Sequence, residues 1–361
     1  MPGAEGRLEL GIAVTGMHLL QAYGHTVSEI EAAGLTVVAR IPVALDGSSG
    51  GAMARAMAVQ LEARGGVCEQ WQPDLVVVLG GRGEMLAAAL AGVHLGIPVA
   101  HVHGGERSGT VDESVRHAIS KLVHLHLVAT EQSRQRLIRM GERPDQIWVT
   151  GAPGLDGLDA GVAVGAEARA AWCQAQGFDP GRPLLLVLFH PVLQEAASAC
   201  QQAEALLQGI VQAAPQAQLL VLAPNSDGGG EAIAQVWQQR LPALGLDHRL
   251  ITHLPRSTYL EALAVVDALV GNSSSGIIEA ASFGLPVVDV GSRQQARERS
   301  ANVRHADPDA AQVASALRAA LAGGRQPVVN VYGDGQAAGR ISAILATAPL
   351  PPALLAKLNS Y

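Results

Sequence analysis

The residues whose types best suit catalysis lie at positions 98–121, where an apolar run ends in His-Val-His-Gly-Gly-Glu and a glycine-bearing loop follows. A helix is predicted next, because Thr110 is a suitable N-cap and a glutamate follows three residues later. Glu113, Arg116 and His117 are spaced three and four residues apart, so they lie close together on that helix. A solvated helix face is the alternative interpretation of the helix alone. The preceding motif favours an acid–base site.

Further polar clusters follow the other predicted strands. They occupy residues 15–18, 80–84, 101–106, 190–191, 224–227, 271–276 and 291–297. Ligands of open parallel sheets bind beyond the carboxyl ends of the strands. The shared position of these loops therefore predicts a ligand site, and two domains with facing strand ends would enclose a cleft.

Residues 271–276 form the best phosphate candidate, because consecutive serines at a helix start offer hydroxyls, amide N–H groups and the positive end of the helix dipole. Glu279, one turn further on, could accept ribose hydroxyls. Arg293 could clamp a diphosphate. The alternatives are simple N-capping by Ser274 or Ser275 and a solvated arginine.

Several other polar residues admit two interpretations. His190 follows a buried strand and would serve either as an acid or ligand or as a structural group. His124 and His126 are interpreted as structural, because no carboxylate at metal-ligand spacing accompanies them. Glu84 and Asp227 are either site acids or helix caps.

The elements that must position these residues follow from the alternation of apolar runs and helical segments. Strands are predicted at 8–14, 35–41, 74–79, 97–102, 125–129 and 147–150, and again at 184–189, 218–222, 249–252, 268–270 and 286–290. Helices are predicted between the strands, including one over about 52–63 after a loop at 47–51 and one over 230–240. Residues 155–180 are interpreted as a connection. Two successive alternations predict an α/β fold with two doubly wound domains and parallel sheets.

Composition narrows the class of protein. The chain has 361 residues, 48% of them hydrophobic and 16% charged, which indicates a globular protein of two domains. A net charge of -7 does not favour binding to nucleic acid or to an anionic membrane, because both are negatively charged. The three cysteines lack metal-ligand spacing, the start is no signal peptide, and no apolar run approaches the roughly 18 residues of a membrane span. A cytoplasmic protein without metal or cofactor is expected.

Six segments together carry a resemblance to a known family. They are HVHGGERSGTVDESVRHAISKLVHLH, VTGAPGLDGL, FHP, PNSDGGG, GNSSSGIIEAASFGLPVV and VGSRQQAR. The chain resembles the hydrolysing UDP-N-acetylglucosamine 2-epimerases from about residue 8 onward. These enzymes make N-acetylmannosamine, or a 2,4-diacetamido relative, for sialic-acid-type sugars.

The resemblance implies a GT-B fold with two Rossmann-like domains and a cleft between them. Domain boundaries are expected at 1–165 for the sugar and catalytic domain and 166–332 for the UDP-binding domain, with 333–361 returning as a helix to the first. The family's reaction removes the C2 proton, expels UDP and adds water to the resulting glycal. A UDP-sugar is the expected partner, and a homodimer or homotetramer the expected assembly.

The resemblance also implies roles for individual residues. Glu106, Asp112, Glu113 and His190 are the expected catalytic residues. Expected substrate-binding residues are His18, Arg82, Glu84, His103, Arg116, His117, Asn225, Ser273, Ser274, Ser275, Gly276, Glu279 and Arg293.

Two departures from the family pattern have consequences. Gly81 stands where the family motif Gly-Asp-Arg-x-Glu has a catalytic aspartate, and Gly81→Asp is predicted to raise turnover. The family also begins with a further strand and a Thr-Gly-x-Arg loop, so a shortened first domain with an exposed sheet edge is expected. A working epimerase is the leading hypothesis; a UDP-sugar-binding relative without turnover and a GT-B glycosyltransferase are the alternatives.

Overall fold

The computed structural model describes residues 8–44, 50–158, 165–348 and 354–360. The chain forms two compact units. The first unit comprises Met1–Arg107, Val111–Asp156 and Tyr332–Tyr361, and the second unit comprises Ser108–Thr110 and Gly157–Val331. The first unit is therefore built from separate stretches of the chain.

Strands and helices alternate along the first unit. Its strands are β1 (Gly11–Thr15), β2 (Thr36–Ile41), β3 (Val76–Leu79), β4 (Val99–Val102), β5 (Leu125–Val128) and β6 (Ile147–Val149). Its helices up to that point are α1 (Val27–Ala32), α2 (Gly50–Trp71), α3 (Gly83–His94), α4 (Val111–Leu122) and α5 (Glu131–Arg139). Helix α4 begins directly after Thr110, where the N-cap was predicted.

The sheet of the first unit is interrupted. Strands β3-β4-β5-β6 form one parallel sheet, whereas β1 and β2 form a separate parallel pair. Within the described residues β3 pairs with β4 alone, and Val77 and Leu79 on β3 are 44% and 54% exposed. The expected exposed edge agrees with this geometry, whereas the shortened first domain stays a prediction.

The second unit contains a six-stranded parallel sheet. Its strands are β7 (Leu184–Leu188), β8 (Gln218–Leu222), β9 (His248–Ile251), β10 (Ala268–Gly271), β11 (Val287–Val290) and β12 (Val303–Ala306), in the order β12-β11-β10-β7-β8-β9. Its helices are α6 (Ala166–Gln176), α7 (Ala199–Ala213), α8 (Gly230–Arg240), α9 (Arg256–Val265), α10 (Ser274–Ile278) and α11 (Ala310–Gly323). The chain moves outward from β7 to one side and then starts again at β10, so the strand order reverses between these two neighbours.

The last helix, α12 (Ala337–Thr347), belongs to the first unit. Its Ala337 and Ile341 are buried in one apolar cluster with Val102 of β4, Leu127 of β5 and Leu354 near the chain end. Residues at the end of the chain therefore complete one face of the first sheet.

Three local predictions need correction. The predicted connection 155–180 contains α6, and the predicted helix at 52–63 extends as α2 to Trp71. Strand β12 was not predicted at all. Part of the predicted loop at 47–51 lies outside the described residues. Among the described residues, no helix combines the length and the apolar character that crossing a membrane requires.

Candidate active site

The strand-order reversal of the second unit brings His190 and Asn272 together. His190 follows β7 and Asn272 follows β10. The backbone N–H of His190 donates to the Asn272 side-chain Oδ1 at 2.7 Å, and Asn272 Nδ2 donates back to the His190 carbonyl at 2.8 Å. Ligands of open α/β sheets bind outside the strand ends at such a reversal. The two hydrogen bonds therefore hold the loops after β7 and β10 together at the place where a ligand is expected.

Three further groups converge on the same place. The His190 Nδ1 accepts from the backbone N–H of Asn225 at 3.2 Å, so the ring proton lies on Nε2. Arg293 Nη1 and Gln294 Nε2 both donate to the Asn272 carbonyl, at 3.2 and 3.0 Å. The loops after β7, β8, β10 and β11 therefore meet around Asn272. The structure thus brings together His190, Asn225 and Arg293 among the predicted residues.

Asn272 was not among the residues predicted for the site. The glycine before it indicates its position. Gly271 before it has a φ of +143°, and a Cβ there would lie 1.9 Å from the Leu188 carbonyl oxygen. Only glycine permits β10 to approach β7 this closely, so the residue after it is placed at the sheet reversal.

The serine run takes a different arrangement from simple capping by Ser274 or Ser275. Ser273 is the N-cap of α10, and its Oγ accepts from the Ser275 N–H at 3.3 Å. The Ser275 Oγ accepts from the Tyr259 hydroxyl at 2.5 Å. Burial raises the pKa of Tyr259, which therefore stays a neutral donor.

Two predicted ligand residues beside the run also have structural partners. A Cβ at Gly276 would lie 3.0 Å from a Val287 methyl group, so this glycine lets α10 pack closely on the sheet. Glu279 accepts from Arg256 Nη1 at 3.1 Å. A ribose hydroxyl at Glu279 would share the carboxylate with this arginine.

In the first unit, the loop after β4 holds a buried carboxylate. His103 has a φ of +62°, rare for a residue with a side chain, and its Nδ1 is hydrogen-bonded to Glu106 Oε1. Glu106 is 3% exposed, and Arg116 Nη1 donates to its carbonyl at 3.4 Å. Strained backbone of this kind persists only where surroundings enforce it, and it is concentrated at functional sites.

The first turns of α4 present the other predicted acids. Glu113 Oε1 lies 3.8 Å from His117 Nε2 and 4.0 Å from Arg107 Nε. Burial lowers the pKa of His117 although Glu113 opposes the shift. Asp112 precedes Glu113 on the same turn and is half-buried. The geometry brings Glu106, Glu113, Arg116 and His117 into one region of the first unit.

The loop at 80–84 lies directly against this helix. Arg82 is the N-cap residue of α3, and its Nε donates to Glu84 Oε1 at 2.9 Å. A Cβ at Gly81 would lie 2.2 Å from the Asp112 carbonyl oxygen and 2.8 Å from the Arg116 Cβ. No side chain fits there without movement of α4. This steric conflict opposes the prediction that Gly81→Asp raises turnover, which stays a prediction.

His18 follows the first strand of the first unit. It is exposed on the 3-10 turn that follows β1 of the two-stranded sheet, and its Nδ1 is hydrogen-bonded to Thr26 Oγ1 at 2.6 Å.

His124 and His126 have structural partners, in agreement with their interpretation from sequence. His124 Nδ1 accepts from the Val99 N–H at 3.1 Å. His126 Nε2 lies 3.1 Å from Glu142 Oε2, which also pairs with Lys357 Nζ at 2.5 Å. Among the described residues, no cluster of His, Cys, Asp or Glu has a geometry that would hold a metal ion.

Comparison with known proteins gives a consistent result. The chain matches the family described as UDP-N-acetylglucosamine 2-epimerase over residues 3–346. It is 47% identical to the UDP-N,N'-diacetylbacillosamine 2-epimerase (hydrolyzing) of Legionella pneumophila, over 98% of this chain and 92% of that protein. It is 32% identical to the UDP-N-acetylglucosamine 2-epimerase of Neisseria meningitidis, over 91% of this chain and 84% of that protein.

A solved structure extends the likeness to the fold. The crystal structure of UDP-GlcNAc 2-epimerase from Neisseria meningitidis bound to UDP-GlcNAc matches with a TM-score of 0.73 at 15% identity, covering 93% of this chain and 99% of that chain. This likeness concerns the fold, which is α/β and GT-B-like, with Rossmann-like parallel-sheet units.

Proposed function

Because the chain belongs to the UDP-N-acetylglucosamine 2-epimerase family, we propose that it is a hydrolysing 2-epimerase of a UDP-linked 2,4-diacetamido sugar of the diacetylbacillosamine type. The observation that carries this proposal is the 47% identity, over 98% of the chain, to a relative named for that sugar. The Neisseria relative named for UDP-N-acetylglucosamine is less similar, at 32%. UDP-N-acetylglucosamine is the second candidate substrate.

The proposed reaction has two steps. A base removes the C2 proton while the bond between C1 and the UDP oxygen breaks, which yields UDP and a sugar with a C1–C2 double bond. Water then adds, with its hydroxyl at C1 and a proton at C2 from the opposite face, giving the free epimerised sugar. The chain must supply acid–base groups near C2 and donors to the diphosphate charge.

We assign the acid–base steps to the first unit. Glu106 is the proposed main acid–base group, because burial and the hydrogen bond to His103 fix its carboxylate. Asp112 and Glu113 are proposed as the further carboxylates. The remaining proposed sugar-site residues are His18, Arg82, Glu84, Arg116 and His117.

We assign UDP binding to the second unit. His190 would approach the diphosphate with its Nε2–H, the tautomer that the contact with Asn225 favours. Arg293 supplies positive charge beside Asn272. Residues 273–276 would bind the diphosphate, and Glu279 the ribose.

The decisive experiment follows UDP release from each of the two UDP-sugars, with and without an acceptor, and records the product by NMR in D2O. The proposal expects acceptor-independent release and a 2-epimerised free sugar with deuterium at C2. Release that requires an acceptor would indicate a glycosyltransferase. Saturable UDP binding without release would indicate a binding protein. Faster turnover of UDP-N-acetylglucosamine would overturn the choice of sugar.

We also propose a homodimer or homotetramer in the cytoplasm, with no nucleic-acid partner. Light scattering coupled to gel filtration tests the assembly, and a mass of one chain, 37.2 kDa, would refute it. Fractionation of cells that express the chain tests the compartment.

A further inference from the structure

A buried pair of side chains lies beneath the loops of the first unit's candidate site. His101, on β4, is fully buried, and its Nε2 lies 2.7 Å from the Gly80 carbonyl oxygen. Its Nδ1 lies 3.2 Å from Ser120 Oγ on α4, which is also fully buried. We refer to these two residues as the His101–Ser120 pair. His101 opens the polar cluster 101–106 of the sequence, but neither residue of the pair was among the expected site residues.

The hydrogen bonds fix the state of the imidazole. A carbonyl oxygen only accepts, so the ring proton must lie on Nε2, and Nδ1 accepts from the Ser120 hydroxyl. Burial lowers the pKa of His101 to about 3, which keeps the ring neutral throughout the working range of an enzyme. His101 is therefore a permanent donor on one side and a permanent acceptor on the other.

Gly80 connects the pair to the loop at 80–84. Its N–H donates to the Val102 carbonyl at 2.9 Å while its own carbonyl accepts from His101, so β4 holds both polar groups of this residue. Gly80 has a φ of +76°, and the next residue, Gly81, lies directly against the Asp112 carbonyl. The direction in which Arg82 leaves the strand thus depends on the bond from His101.

Gly104 connects the pair to the loop that carries Glu106. A Cβ at Gly104 would lie 2.9 Å from His101 Nδ1 and 3.2 Å from Ser120 Oγ. The backbone of this loop therefore rests on the pair. Ser120 itself lies on the helix that carries Asp112 and Glu113.

We infer that His101 is a positioning residue of the epimerase reaction and that the Gly80 carbonyl and the Ser120 hydroxyl hold its ring in one orientation. The pair fixes the two loops and α4 relative to one another, so the carboxylates and Arg82 approach the sugar in one arrangement. His101 does not itself touch the substrate. This inference rests on the proposed function, because it assigns these three segments to one reaction.

Two substitutions of His101 test the contributions of its two hydrogen bonds separately. The side-chain amide of glutamine reaches the place of Nε2, whereas that of asparagine reaches only the place of Nδ1. His101→Gln therefore retains the donor to Gly80, and His101→Asn retains only the acceptor for Ser120. Both variants bury one amide in place of the ring, so the stability of each serves as the control for the other.

The expected result is a split between the variants. His101→Asn should lower kcat about 10- to 100-fold, the loss typical of a misplacement of about 1 Å. His101→Gln should lower kcat about 5-fold or less, the equivalent of one ordinary hydrogen bond. UDP affinity, measured by calorimetry, should stay unchanged in both, because UDP binding is assigned to the second unit. Equal kcat values in the two variants would overturn the inference.

A second measurement does not depend on turnover. Histidine-selective 15N NMR of the full chain, with the His101 signals identified by their loss in His101→Gln, should give a proton on Nε2 from pH 5.5 to 8.5. Ser120→Ala should leave the proton on Nε2, because the Gly80 carbonyl still accepts from it, and should shift the Nδ1 signal, because Nδ1 loses its hydrogen-bond donor. A ring that titrates in this range, or an Nδ1 signal that is unchanged in Ser120→Ala, would refute the inference. A wild-type chain that releases no UDP would instead refute the proposed function.

Discussion

Replacing Gly81 by alanine adds one methyl group at a place where the structure has no room for it. The Cβ would lie 2.2 Å from the Asp112 carbonyl oxygen and 2.8 Å from the Arg116 Cβ. Ordinary contact distances are about 3.5–4.0 Å between carbon atoms, so the groups must separate by on the order of 1 Å. Because the obstacle is the backbone of α4, a change of rotamer cannot relieve it.

Two consequences of Gly81→Ala can be estimated. Overpacking of this kind costs about 1–3 kcal/mol in the free energy of unfolding. The displaced helix carries Asp112 and Glu113, and a misplacement of about 1 Å lowers a rate about 100-fold. We therefore expect a moderate loss of stability and a large loss of kcat.

Gly80→Ala is the matched control. Gly80 has a φ of +76°, and a Cβ there would have no atom within 4 Å. The left-handed conformation costs alanine about 1–2 kcal/mol, but nothing has to move. We expect a similar loss of stability with most of the activity retained.

Urea unfolding and the initial rate of UDP release from the UDP-sugar would be measured for both variants and for Gly81→Asp. A Gly81→Ala protein with the stability and kcat of the wild type would refute the steric argument. So would a Gly81→Asp protein that is more active than the wild type.

Three further substitutions test other parts of the structure. Glu106→Gln should abolish UDP release while calorimetric UDP binding is retained; measurable turnover would remove Glu106 from the acid–base role. Tyr259→Phe should weaken UDP binding about 2- to 10-fold, because Ser275 loses its hydrogen-bond donor; an unchanged affinity would contradict a role for this serine. Burial opposes ionisation of Glu142, but hydrogen bonds from one histidine and two lysines outweigh it and lower the pKa of this carboxyl to about 2. Ionised Glu142 therefore contributes stability that is complete above the unfolded-state pKa of about 4.3 and is lost as the pH falls toward 2, so Glu142→Gln should lower the Tm at pH 7 and reduce its pH dependence in this window.

The elements that sequence predicted best are those whose signal is local. Strand β8 and helix α8 have the predicted bounds, because a buried parallel strand reads as a continuous apolar run and a helix shows its own periodicity. Strand β12 was not predicted because Arg304 and His305 interrupt its apolar run at the sheet edge. Helix α6 was not predicted because Gly165, which precedes it, has no capping side chain, and because its alanine-rich sequence shows little amphipathic pattern.

Sequence predicted which loops form the candidate site, but it did not predict the distances and contacts between their residues. The positions after parallel strands pointed to His190, Asn225 and Arg293, which the structure brings together around Asn272. The clash at Gly81 depends on a helix 31 residues away in sequence, since it involves the Asp112 carbonyl. Sequence shows which side chain is absent there, whereas only the fold shows that none would fit.

The discontinuous first unit has a consequence for synthesis on the ribosome. Strands β4 and β5 leave the ribosome long before α12, because Ala337 follows Asp156 by 181 residues, about 9–36 s at typical translation rates. During that delay Val102 and Leu127 lack the cover that Ile341 and Leu354 later provide. The second unit, almost entirely contiguous, can fold meanwhile. The nascent first unit thus exposes an apolar sheet face until α12 emerges, and a ribosome stalled before α12 would display that face.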